Sequence, residues 1–310
     1  MIRVRNMNQT AIAIDLGGTA IKYGLTNFKG HVIWDDVVPT PHDSRASLID
    51  ALLQCIRKVL SATADHPPVC IGIGTPGMVD VENGYVLGSA FQLPGWENLP
   101  LADIIRKETG LPAYLDNDAN MMALGEFAFG KAKNGRNVLF FTLGTGIGGA
   151  VFVDGKLYRG SKNAGGELGC FPMQYDGREG YWEDFASMKA LTERYIQRAG
   201  GEDVTSAKQV FEKAAQGDTV AQEVIAENVR LAGRGLAGYI NIFNPDTIII
   251  GGGVSDTQPE YIARLKETAL KYALKECSDG VEIIAASLGN KAGMVGAGYF
   301  ALKMRTLHES

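Results

Sequence analysis

Residues 140 to 160 read FFTLGTGIGGAVFVDGKLYRG, and the segment after their glycines decides the fold. Gly144, Gly146 and Gly149 match the G-x-G-x-x-G spacing of dinucleotide loops, but such a loop must open a helix, so that a pyrophosphate rests on the helix N-terminus. No helix comes next here. Small and apolar residues alternate, the chain turns at Asp154-Gly155, a strong hairpin signal, and another strand continues. This is strand, glycine turn, strand. Such a turn holds phosphate differently, because successive backbone N–H groups in a Gly-rich bend form an anion-binding concavity and missing Cβ atoms permit close approach. A plain hairpin that needs glycine for its backbone angles reads the same way, so the motif alone leaves both readings open.

Working outward, the same pattern recurs near the start of the chain. From residue 11, AIAIDLGGTAIKYGLTNFKGHVIWDDVVP reads as a strand, a Gly-Gly turn, a strand, a turn at Lys29-Gly30 and a third strand. Helical periodicity appears near 46 to 62, and VCIGIGTPGMVD reads as a buried strand ending in a turn. PAYLDNDANMMALGEFAFG is a short strand running into a helix, capped at Asn117 or Asp118, with Gly130 beyond its end. Residues 207 to 244 read as strongly helical, with Val224, Ile225, Leu236, Ile240 and Phe243 buried. DTIIIGGGVS is a buried strand entering a triple glycine, and GMVGAGYFALKMRTL a last helix. Strands alternating with helices, and two halves that each open on a glycine hairpin, predict an α/β protein of two related domains. The expected division is residues 1–118, with a C-terminal helix at about 293–310 packing back on them, and a larger domain of 119–292.

Composition narrows the function. The chain has 310 residues, 45% hydrophobic and 21% charged, and a net charge of -5. That balance suits a soluble protein and carries no basic footprint for nucleic acid. No apolar run reaches the roughly 18 residues of a membrane helix, and MIRVRNMNQT lacks the apolar core of a secretory signal, so a cytoplasmic location is expected. Cys55, Cys70, Cys170 and Cys277 are widely spaced, which points to neither disulfides nor a cysteine zinc site.

IDLGGTAIKYG, FTLGTGIGGAVF and IIIGGGVS are three glycine turns, as expected for a nucleotide held in a cleft between two related domains. The first also carries Asp15. A carboxylate beside a phosphate loop is repulsive unless a cation intervenes, and Mg²⁺ favours one or two carboxylates with phosphate and water oxygens, so Asp15 reads as a magnesium-side residue.

With these motifs the chain resembles the ROK family of bacterial sugar kinases and sugar-responsive repressors, nearly end to end. The resemblance implies the two-domain, actin-like ATPase fold (ribonuclease H-like), ATP with Mg²⁺, and a sugar substrate. It places Asp15, Gly17, Gly18 and Thr19 in the first phosphate motif, Gly144, Thr145, Gly146 and Gly148 in the second, and Gly251, Gly252 and Gly253 in the adenosine motif. It makes Asp118 of DNDAN the general base and assigns Asn117, Glu167 and Glu183 to the sugar, with Gly77 of GTPGMVD and the loop QLPGWENLPL bordering the site. It also implies a homodimer. Without it, Asp118 would read as a helix cap and the two glutamates as surface charges; Lys22 reads as a strand lysine and receives no catalytic role.

The chain departs from the family pattern where many members bind structural zinc through a His and three cysteines. Cys170 takes the His position, and Gln174, Asp176 and Tyr181 the cysteine positions. One thiol cannot close a four-ligand site, so no zinc is expected, and metal analysis finding it in stoichiometric amount would overturn this. Packing by Phe171, Tyr181 and Trp182 is expected to clamp the loop instead. Because the family's His also lies near the sugar, Cys170 extends the candidate substrates from glucose to fructose, mannose, N-acetylhexosamines and β-glucosides; Gln92, where the family often has Asn, is a milder change on the same side.

The leading expectation is ATP-dependent phosphorylation of a hexose or hexose derivative at O6, with domain closure on substrate excluding water. The alternative is a catalytically silent sugar-sensing regulator. Family repressors carry a helix-turn-helix domain before the first phosphate motif, and only fourteen residues precede Asp15 here.

Overall fold

The computed structural model describes residues 8–90, 92–131, 135–200 and 203–309. The chain divides into two compact units, one of Met1–Lys133, Arg159–Gly165 and Asn290–Ser310, the other of Asn134–Tyr158 and Gly166–Gly289.

The first unit contains β1 (Thr10–Leu16), β2 (Ala20–Asn27), β3 (Val32–Pro39), α1 (Arg45–Ala62), β4 (Pro68–Thr75), β5 (Met78–Asp80), β6 (Tyr85–Gly88), α2 (Leu101–Thr109), β7 (Ala113–Asn117) and α3 (Asp118–Phe129). Its main sheet runs β3-β2-β1-β4-β7. The first three strands form an antiparallel meander, and β4 and β7 join in parallel. Parallel neighbours need crossover connections, which contain α1 and α2. β1 is buried along its whole length, as a strand covered on both faces must be.

The second unit repeats this plan with β8 (Val138–Leu143), β9 (Ile147–Val153), β10 (Lys156–Tyr158), β11 (Pro172–Tyr175), β12 (Arg178–Tyr181), α4 (Trp182–Ala186), α5 (Met188–Ala199), α6 (Ala207–Ala215), α7 (Thr219–Phe243), β13 (Thr247–Gly251), α8 (Gly253–Thr257), α9 (Pro259–Tyr272), α10 (Lys275–Ser278) and β14 (Glu282–Ala285). Its main sheet runs β10-β9-β8-β13-β14, again two antiparallel pairings and then two parallel ones. Each sheet therefore opens on a glycine hairpin, β1–β2 or β8–β9, and each unit has its own apolar core.

The last helix, α11 (Ala292–His308), belongs to the first unit and packs on α3, β1 and β4. The approach is close: a Cβ at Gly296 would overlap the Met121 carbonyl, and one at Gly125 the Ala292 carbonyl. These glycines let α3 and α11 meet backbone to backbone.

Three local features differ from the sequence reading. α3 and the segment Arg159–Gly165 sort with the first unit, although the reading began the second domain at residue 119. The helical stretch 207–244 is two helices, broken where Gly217 takes φ +94° and Asp218 caps α7 by accepting the Ala221 amide. The stretch that stands in for the zinc loop forms a hairpin, β11–β12, turning at Asp176 and Gly177, both with positive φ. Asp-Gly is the same hairpin signal there as at residues 154–155. No helix among the described residues is long and apolar enough to cross a membrane.

Candidate active site

The candidate residues fall into two groups, one per unit. In the first, Asp15 is buried one residue before the end of β1, and Gly17 forms the turn to β2 through its amide, which donates to the Ala20 carbonyl at 3.0 Å. Thr40 Oγ1 donates to the Gly17 carbonyl at 2.7 Å and steadies the turn from β3's end. Thr19 is exposed. The register places Lys22 opposite Asp15, and Lys22 Nζ lies 3.5 Å from Asp15 Oδ2. Burial raises the Asp15 carboxyl above its ordinary value, and Lys22 partly counters the rise. A Cβ on Gly293 would collide with this carboxyl, so the first turn of α11 closes over it.

DNDAN straddles the junction of β7 and α3, and its residues divide the work. Asn117 caps α3: its side-chain oxygen accepts the Ala119 amide at 2.9 Å and the Asn120 amide at 3.2 Å. Its Nδ2 donates to the Gly77 carbonyl at 3.1 Å, tying in the GTPGMVD turn, where Gly77 holds φ +91°. Asp116 is 2% exposed and takes four donors: the Asn117 amide at 2.7 Å and Asn120 Nδ2 at 2.9 Å on one oxygen, Arg159 Nε at 2.8 Å and Nη2 at 2.5 Å on the other. That uses its acceptor positions. Asp118, first residue of α3, is half-buried, and its Oδ1 accepts the Ala119 amide at 2.9 Å. The helix dipole there favours a negative charge.

In the second unit, the β8–β9 turn carries Gly144, Thr145, Gly146 and Gly148. Gly144's amide donates to the Gly146 carbonyl at 3.0 Å, and the start of α5 closes on the turn, with the Met188 amide donating to the Gly144 carbonyl at 2.9 Å. Glu183 Oε2 accepts the Ile147 amide at 2.9 Å, so this residue, expected at the sugar, braces the β8–β9 turn. The Gly251–Gly253 turn ends β13 beside β8: Gly251 pairs with Thr142, and a Cβ on Gly252 would overlap the Leu143 carbonyl. The structure thus brings the second and third glycine turns together. Glu167 precedes a short 3₁₀ turn, Leu168–Cys170, pinned by the Tyr239 hydroxyl donating to the Leu168 carbonyl. The protein packed around Glu167, and then the charge of Glu183, raise its carboxyl above the ordinary value. Burial first, then Glu183, Glu167 and Asp184, push the Cys170 thiol up. Phe171 stacks on Trp182 with centroids 5.5 Å apart, and Tyr239 joins the cluster. Tyr181 is 50% exposed and takes no part in that core, which corrects the expected clamp: its aromatic third member is Tyr239, supplied by α7.

Several features escaped the sequence reading. Lys22 pairs with Asp15, a contact that strand register implies once the hairpin is known. Gln92 rests on Gly18, where a Cβ would meet its side-chain oxygen. A cavity of about 380 Å³ adjoins Gly144 and Thr145 and is walled by Met188, Thr192, Ile196 and Ala207. Arg159 reaches Asp116 across 43 residues of chain, and no local signal announces it.

The ROK family model matches residues 11–304. The chain is 34% identical over 310 residues to the glucokinase of Streptomyces coelicolor, covering 92% of this chain and 95% of that enzyme. It is 34% identical over 295 residues to the β-glucoside kinase of Klebsiella pneumoniae, covering 93% and 94%. Among solved structures, the ROK glucokinase of Streptomyces griseus, in complex with glucose and AMPPNP, matches with a TM-score of 0.83 and 32% identity over 95% of this chain and 99% of that one. The fold is that of the two-domain, actin-like ATPases.

Proposed function

The chain belongs to the ROK family and is an ATP-dependent sugar kinase; we propose that it phosphorylates a hexose or hexose derivative at O6, with Asp118 as general base. The observation that carries the assignment is the contrast within DNDAN. Asp116 is buried with its acceptor positions occupied, while Asp118 keeps a half-buried carboxylate at the positive end of α3. Asn117 spends its oxygen on the cap and one Nδ2 hydrogen on Gly77, which leaves its second Nδ2 hydrogen for a sugar hydroxyl. Glu167 and Glu183 supply further acceptors for sugar hydroxyls.

On the nucleotide side, the two glycine turns of the second unit present backbone amides to phosphate, and the cavity beside Gly144 receives the nucleoside, its apolar wall against the base. Gly17, Gly18 and Thr19 form the corresponding turn of the first unit. Asp15 fits a magnesium role, because its buried carboxylate is only partly offset by Lys22 at 3.5 Å. When bound, Mg²⁺ would neutralise phosphate charge. Asp118 accepts the hydroxyl proton as the sugar oxygen bonds the γ-phosphorus and the bond from that phosphorus to the bridging oxygen breaks to release ADP; the turns hold the phosphates in place.

Glucose or a related hexose is the first choice of acceptor. The similarity to a β-glucoside kinase makes a β-glucoside the second, and Cys170, a weak hydrogen-bonding group, loosens one hydroxyl contact that would otherwise select glucose. A coupled ADP-release assay with ATP and Mg²⁺ against free hexoses, N-acetylhexosamines and β-glucosides tests the whole reading. Sugar-dependent turnover is expected, reduced about 10²- to 10⁴-fold in Asp118→Asn. Sugar binding without turnover on any acceptor would point to a sensor, and an active Asp118→Asn would remove the base assignment.

A further inference from the structure

We propose that Arg159 is a positioning residue for phosphoryl transfer, acting through Asp116 on the backbone that carries Asn117 and Asp118; the proposal rests on Asp118 being the base. Arg159 places Nε and Nη2 on a single oxygen of Asp116, at 2.8 and 2.5 Å. That fork fixes the carboxylate's orientation and turns its other oxygen toward the start of α3, where it accepts the Asn117 amide at 2.7 Å and Asn120 Nδ2 at 2.9 Å. The two anchored residues bracket Asp118. Asp116 holds the chain before it through the Asn117 amide at the end of β7, and the first turn of α3 through the Asn120 side chain.

Arg159 is itself held. Its guanidinium carbon lies 5.7 Å from the centre of the Phe300 ring on α11. Its carbonyl accepts the Gly165 amide at 2.8 Å, closing the segment 159–165 into a loop, two residues before Glu167. One residue thus ties down the catalytic segment through its side chain and closes the 159–165 loop through its backbone. A lysine cannot replace it fully, because an ammonium is a point donor without the planar fork.

The test is steady-state kinetics of Arg159→Met, Arg159→Lys and the double variant Arg159→Met with Asp116→Asn, each first shown to be folded by circular dichroism, with Asp118→Asn alongside. Misplacing a base by an ångström costs about a hundredfold in rate, so Arg159→Met should lose kcat by about that factor while the KM for ATP moves less than about threefold. Arg159→Lys should fall between it and the parent. The double variant should regain kcat by about tenfold over Arg159→Met, because no buried carboxylate is left unpaired. A folded Arg159→Met with the parent's kcat, or a double variant no faster than Arg159→Met, would overturn the proposal. If Arg159→Met fails to fold, Arg159→Lys decides, and the parent's kcat there overturns it. Should Asp118→Asn keep its turnover, the base assignment fails and this proposal with it; a dead Asp118→Asn beside an unimpaired Arg159→Met sinks this proposal alone.

Discussion

Asp116 spends both carboxylate oxygens on four donors, while Asp118, at the head of α3, keeps its carboxylate half-buried in the field of the helix dipole. Two aspartates two positions apart are thus set in different surroundings by burial, by hydrogen-bond partners and by their place on the helix. The same logic governs Glu167. Its carboxyl sits above the ordinary value of 4.5 because the surrounding protein and Glu183 both disfavour the charge. A raised value means that Glu167 takes up its proton earlier as pH falls. The KM for sugar should therefore rise on acidification at a higher pH than an unburied glutamate would give, and Glu167→Gln, which has no such proton to gain, should flatten that dependence. Initial rates over a pH series check this; an unchanged pH profile in the variant would remove Glu167 from the sugar site. DNDAN was legible as a helix start in the sequence, since a cap involves neighbours one to three residues away. The roles of its two aspartates were not, because Arg159 stands 43 residues on.

At the scale of elements, glycines act in two ways. In the turns they were readable, since Gly-Gly and Asp-Gly pairs between apolar runs have few other uses. In α3 and α11 they were not, because Gly125 and Gly296 sit in ordinary helical sequence and matter only where the helices touch. Gly296→Ala should force α11 away from the Met121 carbonyl. Overpacking of this kind costs about 1–3 kcal/mol, measurable as a lower denaturant midpoint, and since α3 carries Asp118, kcat should fall as well. A midpoint equal to the parent's would mean that the helices separate without cost. The hairpin β11–β12 makes a similar point about aromatic packing. The sequence suggested Phe171, Tyr181 and Trp182; Tyr181 is exposed, and its place is taken by Tyr239, whose hydroxyl holds Leu168 and which lies on α7 and joins only in the fold.

At the scale of the molecule, two sheets of identical strand order and direction are built from dissimilar sequence. Each begins with a hairpin closed at a glycine turn, and its parallel strands come after. A nucleotide that binds only the folded chain stabilises it by mass action, by about 2.7 kcal/mol at a hundred times its Kd. A non-hydrolysable ATP analogue with Mg²⁺ should therefore raise the melting temperature. Gly146→Ala, whose Cβ would meet Glu183 Oε2 at 2.5 Å, should blunt that rise. A melting temperature indifferent to the analogue would exclude the proposed phosphate turns.

The sequence by itself determined the strand and turn pattern, the duplicated opening hairpins, the capped start of α3 and the family resemblance that named the site residues. The pattern, the hairpins and the cap depend on residues close together in the chain, where backbone angles, side-chain alternation and caps act locally, and the resemblance rests on motifs that are each short. Only the tertiary structure decided which charges are paired, as in Asp15 with Lys22 and Asp116 with Arg159, where Gln92 lies over Gly18, and how closely α3 approaches α11. Those outcomes depend on burial and packing between distant segments, and burial sets the strength of a charge interaction and the room for a side chain.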